Sequence, residues 1–144
     1  MELSKPLGRK GPAKVPVDRL SSNSVATHNN YETNLKIARA LGGVFGFKVR
    51  AFWQPAVIYK HKALAPYERL LLRLGSGLRY PFLALVPVYK DAETRAAENG
   101  DFVFLADAFD SVREPVYLDW GHLNPIGNEI IARTMTPYFH KCLK

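Results

Sequence analysis

Cysteine is nearly absent from this chain of 144 residues, and the single one, Cys142, can form no internal disulfide. Chains without disulfides are typical of a reducing compartment. The sequence also lacks the run of about 18 apolar residues that would predict a transmembrane helix. Its first residues show no apolar segment of a secretory signal. These features predict no transmembrane segment and leave the localisation open, with the cytoplasm as the default.

The composition is that of a folded protein. Hydrophobic residues make up 47% of the chain, and the aromatic residues include eight Phe and seven Tyr. A disordered chain has few such residues, because it buries too little apolar surface to offset the entropy of ordering. The length suffices for one compact domain and is too short for two.

The positive charge is spread along the chain. The formal net charge is +7, and residues 1–30 hold five basic against two acidic residues, a balance of 5 − 2 = +3. The remaining charge shows no dense basic run with interleaved aromatic residues, which is the usual pattern of a nucleic-acid surface. The distribution favours a basic tail and a solvated surface over nucleic-acid binding. A small basic module that binds nucleic acid or another anionic ligand remains the alternative.

Glycine, proline and serine interrupt the first part of the chain. Residues 1–29 are predicted to be a flexible basic linker or arm. A helix is predicted over residues 31–41, with Asn29 or Asn30 as its N-cap and Gly42-Gly43 as its end. Its apolar positions are Tyr31, Leu35, Ile37, Ala38 and Leu41. A strand over residues 47–53 then ends at Gln54-Pro55.

The second half adds two more helices, a strand and a terminal helix. Helices are predicted from Pro66 to the Gly75-Ser76-Gly77 stop and over residues 81–98, where Asn99-Gly100 is the stop. A strand over residues 102–105 follows. The last helix begins with Asn124 as N-cap and Pro125 as its first residue. It directs Ile126, Ile130, Ile131, Met135 and Tyr138 toward the core. The order α-β-α-α-β-α predicts the α/β class, with helices covering a small parallel sheet.

An acid and an imidazole lie three residues apart just before this last helix. A carboxylate at Asp119 can accept the Nδ1–H of His122, fix its tautomer and stabilise the imidazolium that forms during proton transfer. The pair follows a short strand-like piece and precedes a helix start, and ligands of open α/β sheets bind at the carboxyl ends of strands. The structural alternative is a capping histidine with an incidental aspartate.

The whole segment Val116-Tyr-Leu-Asp119-Trp-Gly-His122-Leu-Asn-Pro-Ile-Gly-Asn128-Glu-Ile-Ile-Ala132 resembles the last block of the SGNH (GDSL-like) hydrolases. In that family, an Asp and a His three residues apart complete a catalytic triad with a distant serine. The upstream segments 31–35, 53–55, 62–68 and 104–110 agree with this resemblance, which covers the chain from about Asn30 to its end. The resemblance implies hydrolysis of an acyl ester or a carbohydrate acetyl ester, with Asp119 and His122 as catalytic residues. It also implies a three-layer α/β/α flavodoxin-like fold.

The resemblance is incomplete. The family carries its nucleophile in a Gly-Asp-Ser motif on the first strand, and a glycine and an asparagine for the oxyanion hole follow. None of these motifs is present in this sequence. We therefore expect residues 30–144 to be the C-terminal portion of such a domain, with the N-terminal strands of its parallel sheet missing. An open sheet edge then favours self-association.

No other residue replaces the missing nucleophile convincingly. Ser76 follows a leucine-rich helix, so its Gly-Ser-Gly setting is typical of a helix end and not of a nucleophile elbow. Ser111 lacks a preceding glycine and a strong strand. The other histidines, His28, His61 and His140, match no zinc-ligand spacing and are expected at the solvated surface.

Gln54, Trp120 and Asn124 are the candidates to line the crevice beside the dyad. A polar residue that simply ends a strand explains Gln54 equally well. No cofactor and no metal are expected. A small-molecule or carbohydrate ester is the expected substrate once the missing half completes the site. Without it, the chain alone is expected to be inactive or nearly so, because triad members act as a unit. A catalytically inactive relative kept for carbohydrate or protein binding is a third interpretation.

Overall fold

The computed structural model describes residues 17–59, 61–74, 79–100 and 102–140. Their order is helix, strand, two helices, strand, a 3₁₀ turn and a helix, as the sequence predicts. The elements are α1 (Val17–Phe45), β1 (Ala51–Trp53), α2 (Pro66–Leu74), α3 (Arg79–Asn99), β2 (Phe102–Phe104), the 3₁₀ turn (Ala106–Phe109) and α4 (Pro125–His140). No helix among these residues is long and apolar enough to cross a bilayer.

The two strands form a small parallel sheet. Ala51 pairs with Phe102 and Trp53 with Phe104, and α2 and α3 make the connection between the strands, as a parallel pair requires. The sheet confirms the α/β class at this coarse level. The observed strand β1 is shorter than the strand predicted over residues 47–53. The first four residues of the predicted strand have no partner among the described strands, because β2 is three residues long.

The predicted start of the first helix is wrong. α1 begins at Val17, so Asn29 and Asn30 lie inside it, and residues 17–29 of the predicted arm are helical. Residues 1–16 of that arm lie outside the described residues. The earlier start follows from packing against α3, because His28 is buried and its Nε2 lies 3.0 Å from the carbonyl oxygen of Val88.

The buried stripe of α1 is also different from the predicted one. Ser24, His28 and Leu35 are buried, whereas Ile37 and Leu41 are about half exposed. These positions are separated by one helical turn and then by two turns, so they define one helix face. Ser24 and His28 are polar, so the spacing of hydrophobic residues in the sequence does not predict this buried face.

Glycines in the left-handed conformation end two helices. Gly46 has φ 75°, and the amide of Phe47 donates to the carbonyl of Gly42 at 2.9 Å, which is the Schellman pattern. α1 therefore ends at Phe45, two residues beyond the predicted Gly42-Gly43 stop. Gly100 has φ 61° and ends α3 where the sequence predicts.

The core near the site is built from five buried side chains, which are Val57, Leu64, Phe109, Val116 and Tyr117. α2 and α4 pack partly buried leucines and isoleucines against this group. Ile126, predicted to face the core, is instead about half exposed. It follows the N1 proline, and the residue of this turn that is buried is Gly127.

A close approach fixes the start of α4 against the preceding segment. Gly127 is buried in the first turn of α4, and a Cβ atom there would lie 2.8 Å from the carbonyl oxygen of Val116 and 3.2 Å from the Cβ of Leu123. Neither of these neighbours is the far end of a flexible side chain. Glycine therefore lets the helix lie directly on the segment that carries Asp119 and His122.

We expect Gly127→Ala to destabilise the protein by about 1–3 kcal/mol, because the added methyl group forces the helix away from Val116. Gly43→Ala is the matched control, since a Cβ at Gly43 meets no atom within 4 Å. That control should stabilise the protein by about 0.5–1 kcal/mol through helix propensity. Urea unfolding measures both changes, and a stabilising Gly127→Ala would contradict the close approach.

Candidate active site

The segment from Val116 to Asn124 forms a tight loop whose two sides are joined by backbone hydrogen bonds. The amide of Leu118 donates to the carbonyl of His122 at 2.8 Å, and the amide of Asn124 donates to the carbonyl of Val116 at 2.9 Å. Tyr117 and Leu123 form an isolated antiparallel bridge. The loop thus presents residues 119–122 at its tip.

Neighbouring elements hold this loop in place. Gln54, just after β1, donates from Nε2 to the carbonyl of Gly121 at 2.6 Å, and the amide of Val57 donates to the carbonyl of Trp120 at 3.1 Å. Tyr67 on α2 donates its hydroxyl to the carbonyl of Leu118 at 2.9 Å. These bonds set the loop beside the carboxyl end of β1.

A buried carboxylate anchors the start of the loop. Glu68 on α2 is fully buried, and its Oε1 accepts the amides of Val116 at 2.8 Å and Tyr117 at 3.3 Å. Its Oε2 accepts the amide of Ala65 and the Nζ of the buried Lys62, both at 2.9 Å. Burial alone would raise the pKa of Glu68, but the bonds from Lys62 and the amides outweigh it and lower the pKa.

Asp119 and His122 form the hydrogen-bonded pair that the sequence predicts. The Oδ2 of Asp119 lies 2.7 Å from the Nδ1 of His122. Because a carboxylate only accepts, Nδ1 carries the proton and Nε2 of the neutral ring is left as a base. The imidazole is 76% exposed and the carboxylate 45% exposed, so reactants can reach the ring directly.

The second oxygen of Asp119 closes the turn. Oδ1 accepts the backbone amides of Gly121 at 2.9 Å and His122 at 2.8 Å. These two amides, with a smaller contribution from the His122 side chain, hold the pKa of Asp119 below its usual value. The carboxylate is therefore charged at neutral pH and positioned before any proton transfer begins.

An open pocket of about 640 Å³ lies against this pair. Asp119, Gly121 and His122 form its polar rim together with Gln54 and Asn128. The remaining lining residues are mostly apolar: Phe52, Pro55, Leu105, Leu118, Leu123, Ile131 and Met135. The pocket thus lies where β1 and β2 end, the place at which α/β sheets bind ligands.

Of the three predicted crevice residues, Gln54 alone lines the pocket. Trp120 lies in the loop but is not among the lining side chains. Asn124 is the N-cap of α4, since its Oδ1 accepts the amide of Gly127 at 2.9 Å, and its Nδ2 donates to the carbonyl of Pro115 at 2.7 Å. Because Asn124 performs the capping, His122 is not the helix cap.

Asn128 takes the lining position that was predicted for Asn124. It lies one turn further along α4, where helical periodicity brings it onto the same face as its N-cap. Phe52 and Met135 were also missed, since they come from β1 and the middle of α4. Nothing local in the sequence connects these distant positions.

No serine, threonine or cysteine lines the pocket within the described ranges. Ser111 is exposed in the turn after Asp110 and is not a lining residue. Ser76 lies outside the described residues. The pocket therefore offers an exposed imidazole without an adjacent hydroxyl nucleophile from these parts of the chain.

The predicted surface position of His28 is wrong, because it is 1% exposed and its ring stacks on Trp53 at 5.2 Å between centroids. α1 extends far enough to place it against Val88. His61 is exposed, as predicted. The side chain of His140 lies outside the described residues.

Replacing the buried carboxylate should weaken the fold strongly. We expect Glu68→Gln to cost about 3–5 kcal/mol at neutral pH, because it leaves Lys62 buried without its counter-ion. Glu129→Gln is the matched control, since its exposed ion pair with Arg133 contributes at most about 1 kcal/mol. Urea unfolding of each variant provides the comparison.

The difference between wild type and Glu68→Gln should also depend on pH. The folded-state pKa of Glu68 is lowered, so its contribution is full above the unfolded pKa and declines as the pH falls through the folded value. The two proteins should therefore approach each other in stability in acid. A difference that stays constant with pH would contradict this ionic role.

The turn amides should keep the Asp119 pKa low even without the imidazole. We expect the Asp119 carboxyl to titrate below its usual pKa in wild type, and to remain lowered, though less so, in His122→Ala, since backbone donors contribute most. NMR titration of the side-chain carboxyl measures this, with the urea-unfolded chain as the reference. An Asp119 that titrates alike in folded and unfolded chains would refute the turn geometry.

Known proteins give no relative of this chain. No family model matches the sequence, and no curated protein or solved structure matches it. The geometry of the Asp119–His122 pair and its pocket is therefore the basis for any assignment of function.

Proposed function

We propose that Asp119 and His122 form the general-base pair of an ester-hydrolysing site of the SGNH type. The observation that supports it most directly is the 2.7 Å bond between Asp119 Oδ2 and His122 Nδ1 at the rim of the 640 Å³ pocket. That bond leaves Nε2 on an exposed ring as the proton acceptor. An acyl ester or a carbohydrate acetyl ester is the proposed substrate.

The chemistry follows from the protonation states of the pair. His122 Nε2 removes the proton from a serine hydroxyl as the hydroxyl oxygen attacks the ester carbonyl, and returns it to the leaving alcohol. Asp119 holds the ring in the required tautomer and stabilises the imidazolium between these steps. Its charge is secured by the amides of the turn, so no reorganisation accompanies the proton transfer.

The pocket walls suit the acyl part of such a substrate. Phe52 from β1, Leu105 after β2, and Ile131 and Met135 from α4 offer apolar surface next to the dyad. Apolar walls with few polar groups are typical of small-molecule pockets. The polar edge formed with Gln54 and Asn128 lies on the same cavity, where an alcohol or sugar hydroxyl can bind.

The fold is compatible with this proposal at the level of its layers. Two parallel strands are joined through α2 and α3, as the α/β class requires, and the pocket lies at the carboxyl ends of those strands. In the proposal, further strands complete the sheet of a three-layer α/β/α domain. One of them carries the serine and the oxyanion-hole donors.

A dyad without its serine should retain only weak activity. The described pocket contains no hydroxyl nucleophile, and oxyanion stabilisation is usually the largest contribution to such catalysis. A bare imidazole can still attack an activated ester and pass the acyl group to water. The chain alone should therefore show slow esterolysis that depends on His122.

We expect the purified chain to hydrolyse p-nitrophenyl esters slowly, without a burst of p-nitrophenol. His122→Ala should remove most of the protein-dependent rate, and Asp119→Asn should reduce it, because the ring loses its orienting partner. His61→Ala is the matched control, since it deletes another exposed, carboxylate-paired imidazole remote from the pocket lining. Release of p-nitrophenol measured by absorbance gives the rates.

Two outcomes would each contradict one part of this proposal, the role of the dyad or the absence of a nucleophile. Equal rates in wild type, His122→Ala and His61→Ala would mean that the dyad is structural. A stoichiometric burst with an acylated serine would show that the chain contains its own nucleophile. A faster rate with the butyrate ester than with the acetate ester would support the apolar walls as the acyl site.

A further inference from the structure

A second group of ionisable side chains lies outside the pocket, around His61. Its Nδ1 is 2.9 Å from Asp107 Oδ1 and 4.0 Å from Asp110 Oδ2. On the other side of the ring, Nε2 is 3.6 Å from Glu93 Oε1. Three carboxylates thus surround one imidazole, although the chain as a whole is strongly basic.

Three different parts of the fold contribute to this cluster. His61 follows the turn after β1, Asp107 and Asp110 belong to the 3₁₀ turn after β2 and its end, and Glu93 lies on α3. Sequence spacing did not reveal it, because His61 is far from Asp107 along the chain. The parallel pairing of β1 with β2 brings the two following segments to the same side.

The spacing of the donor atoms is close to that of a metal site. One donor atom from each of His61, Asp107 and Asp110 lies within 4.8 Å of the other two. Zinc binds imidazole nitrogen at about 2.0–2.1 Å and carboxylate oxygen at about 2.0–2.2 Å, which separates tetrahedral ligands by roughly 3.3 Å. All three side chains are exposed, so small rotamer changes are enough to reach that geometry.

Glu93 lies next to the second nitrogen of the His61 ring, where it can help to orient the ring. A metal-bound histidine generally gives the N–H of its second nitrogen to a carboxylate, which orients the ring. Here Glu93 faces Nε2 while Nδ1 faces the two aspartates. Glu93 is itself held by a hydrogen bond from the hydroxyl of Tyr59.

An open cleft gives access to the cluster. Glu93 and Asp107 also line a cavity of about 360 Å³ between α3, β2 and Tyr138 on α4. Water can therefore reach the coordination positions that three protein ligands leave open.

We propose that His61, Asp107 and Asp110 bind one divalent transition-metal ion such as Zn²⁺, with Glu93 as the positioning residue for His61. Imidazole nitrogen favours zinc and its neighbours, whereas a site made of oxygen alone favours magnesium or calcium. With a neutral imidazole, the two aspartates balance the charge of the ion. This site shares no lining residue with the Asp119–His122 pocket.

The test is calorimetric titration of the full-length, tag-free chain with Zn²⁺. Wild type should bind one ion with saturation, and His61→Ala, Asp107→Asn and Asp110→Asn should each weaken binding at least tenfold, about 1.4 kcal/mol. Glu93→Gln should weaken it by about 10–100-fold, as loss of an orienting partner does. Circular dichroism checks that each variant is folded.

Two matched controls separate this site from general attraction. His122→Ala removes an exposed imidazole paired with one carboxylate, and Glu129→Gln removes an exposed carboxylate on α4. Both should bind Zn²⁺ as wild type does. The proposal is overturned if wild type shows no saturable binding, if the controls weaken it equally, or if Mg²⁺ binds as tightly as Zn²⁺.

Discussion

The buried carboxylate of Glu68 is the interaction on which the site depends most. One oxygen caps α2 and neutralises Lys62, and the other accepts the amides of Val116 and Tyr117 at the start of the loop. Removing a charge from water is costly, and it is tolerated here because four donors replace the lost solvent. Glu68 thus caps the N-terminus of α2 and also holds the first residues of the loop that carries Asp119 and His122.

The two carboxylates of this region serve different purposes because their surroundings differ. Glu68 is enclosed and makes only structural bonds. Asp119 is partly exposed, with one oxygen holding the turn and the other free to face His122. The buried anchor therefore lies behind the loop, and the imidazole of His122 is left at its surface.

Local signals predicted the parts of this structure that depend on few residues. Pro66, Gly100 and Asn124 mark helix ends correctly, and the Asp119–His122 contact follows from three-residue spacing. His28 and Ser24 could not be placed, because polar residues at buried helix positions carry no hydrophobic pattern. The residues of the pocket walls and of the His61 cluster could not be predicted from the sequence either. They join segments that meet only through the β1–β2 pairing, which no local pattern encodes.

The dyad is formed by residues that are close in the sequence, whereas the pocket is formed by residues that are far apart in it. Asp119 and His122 meet within one turn, whereas Gln54 reaches Gly121 across 67 positions and Glu68 reaches Val116 across 48. Closing such long loops has an entropic cost that the local pair does not carry. The contact between Asp119 and His122 is therefore set by their short separation, whereas the walls of the pocket exist only when distant segments are packed together. A loss of that packing would open the pocket while the two side chains stay close neighbours along the chain.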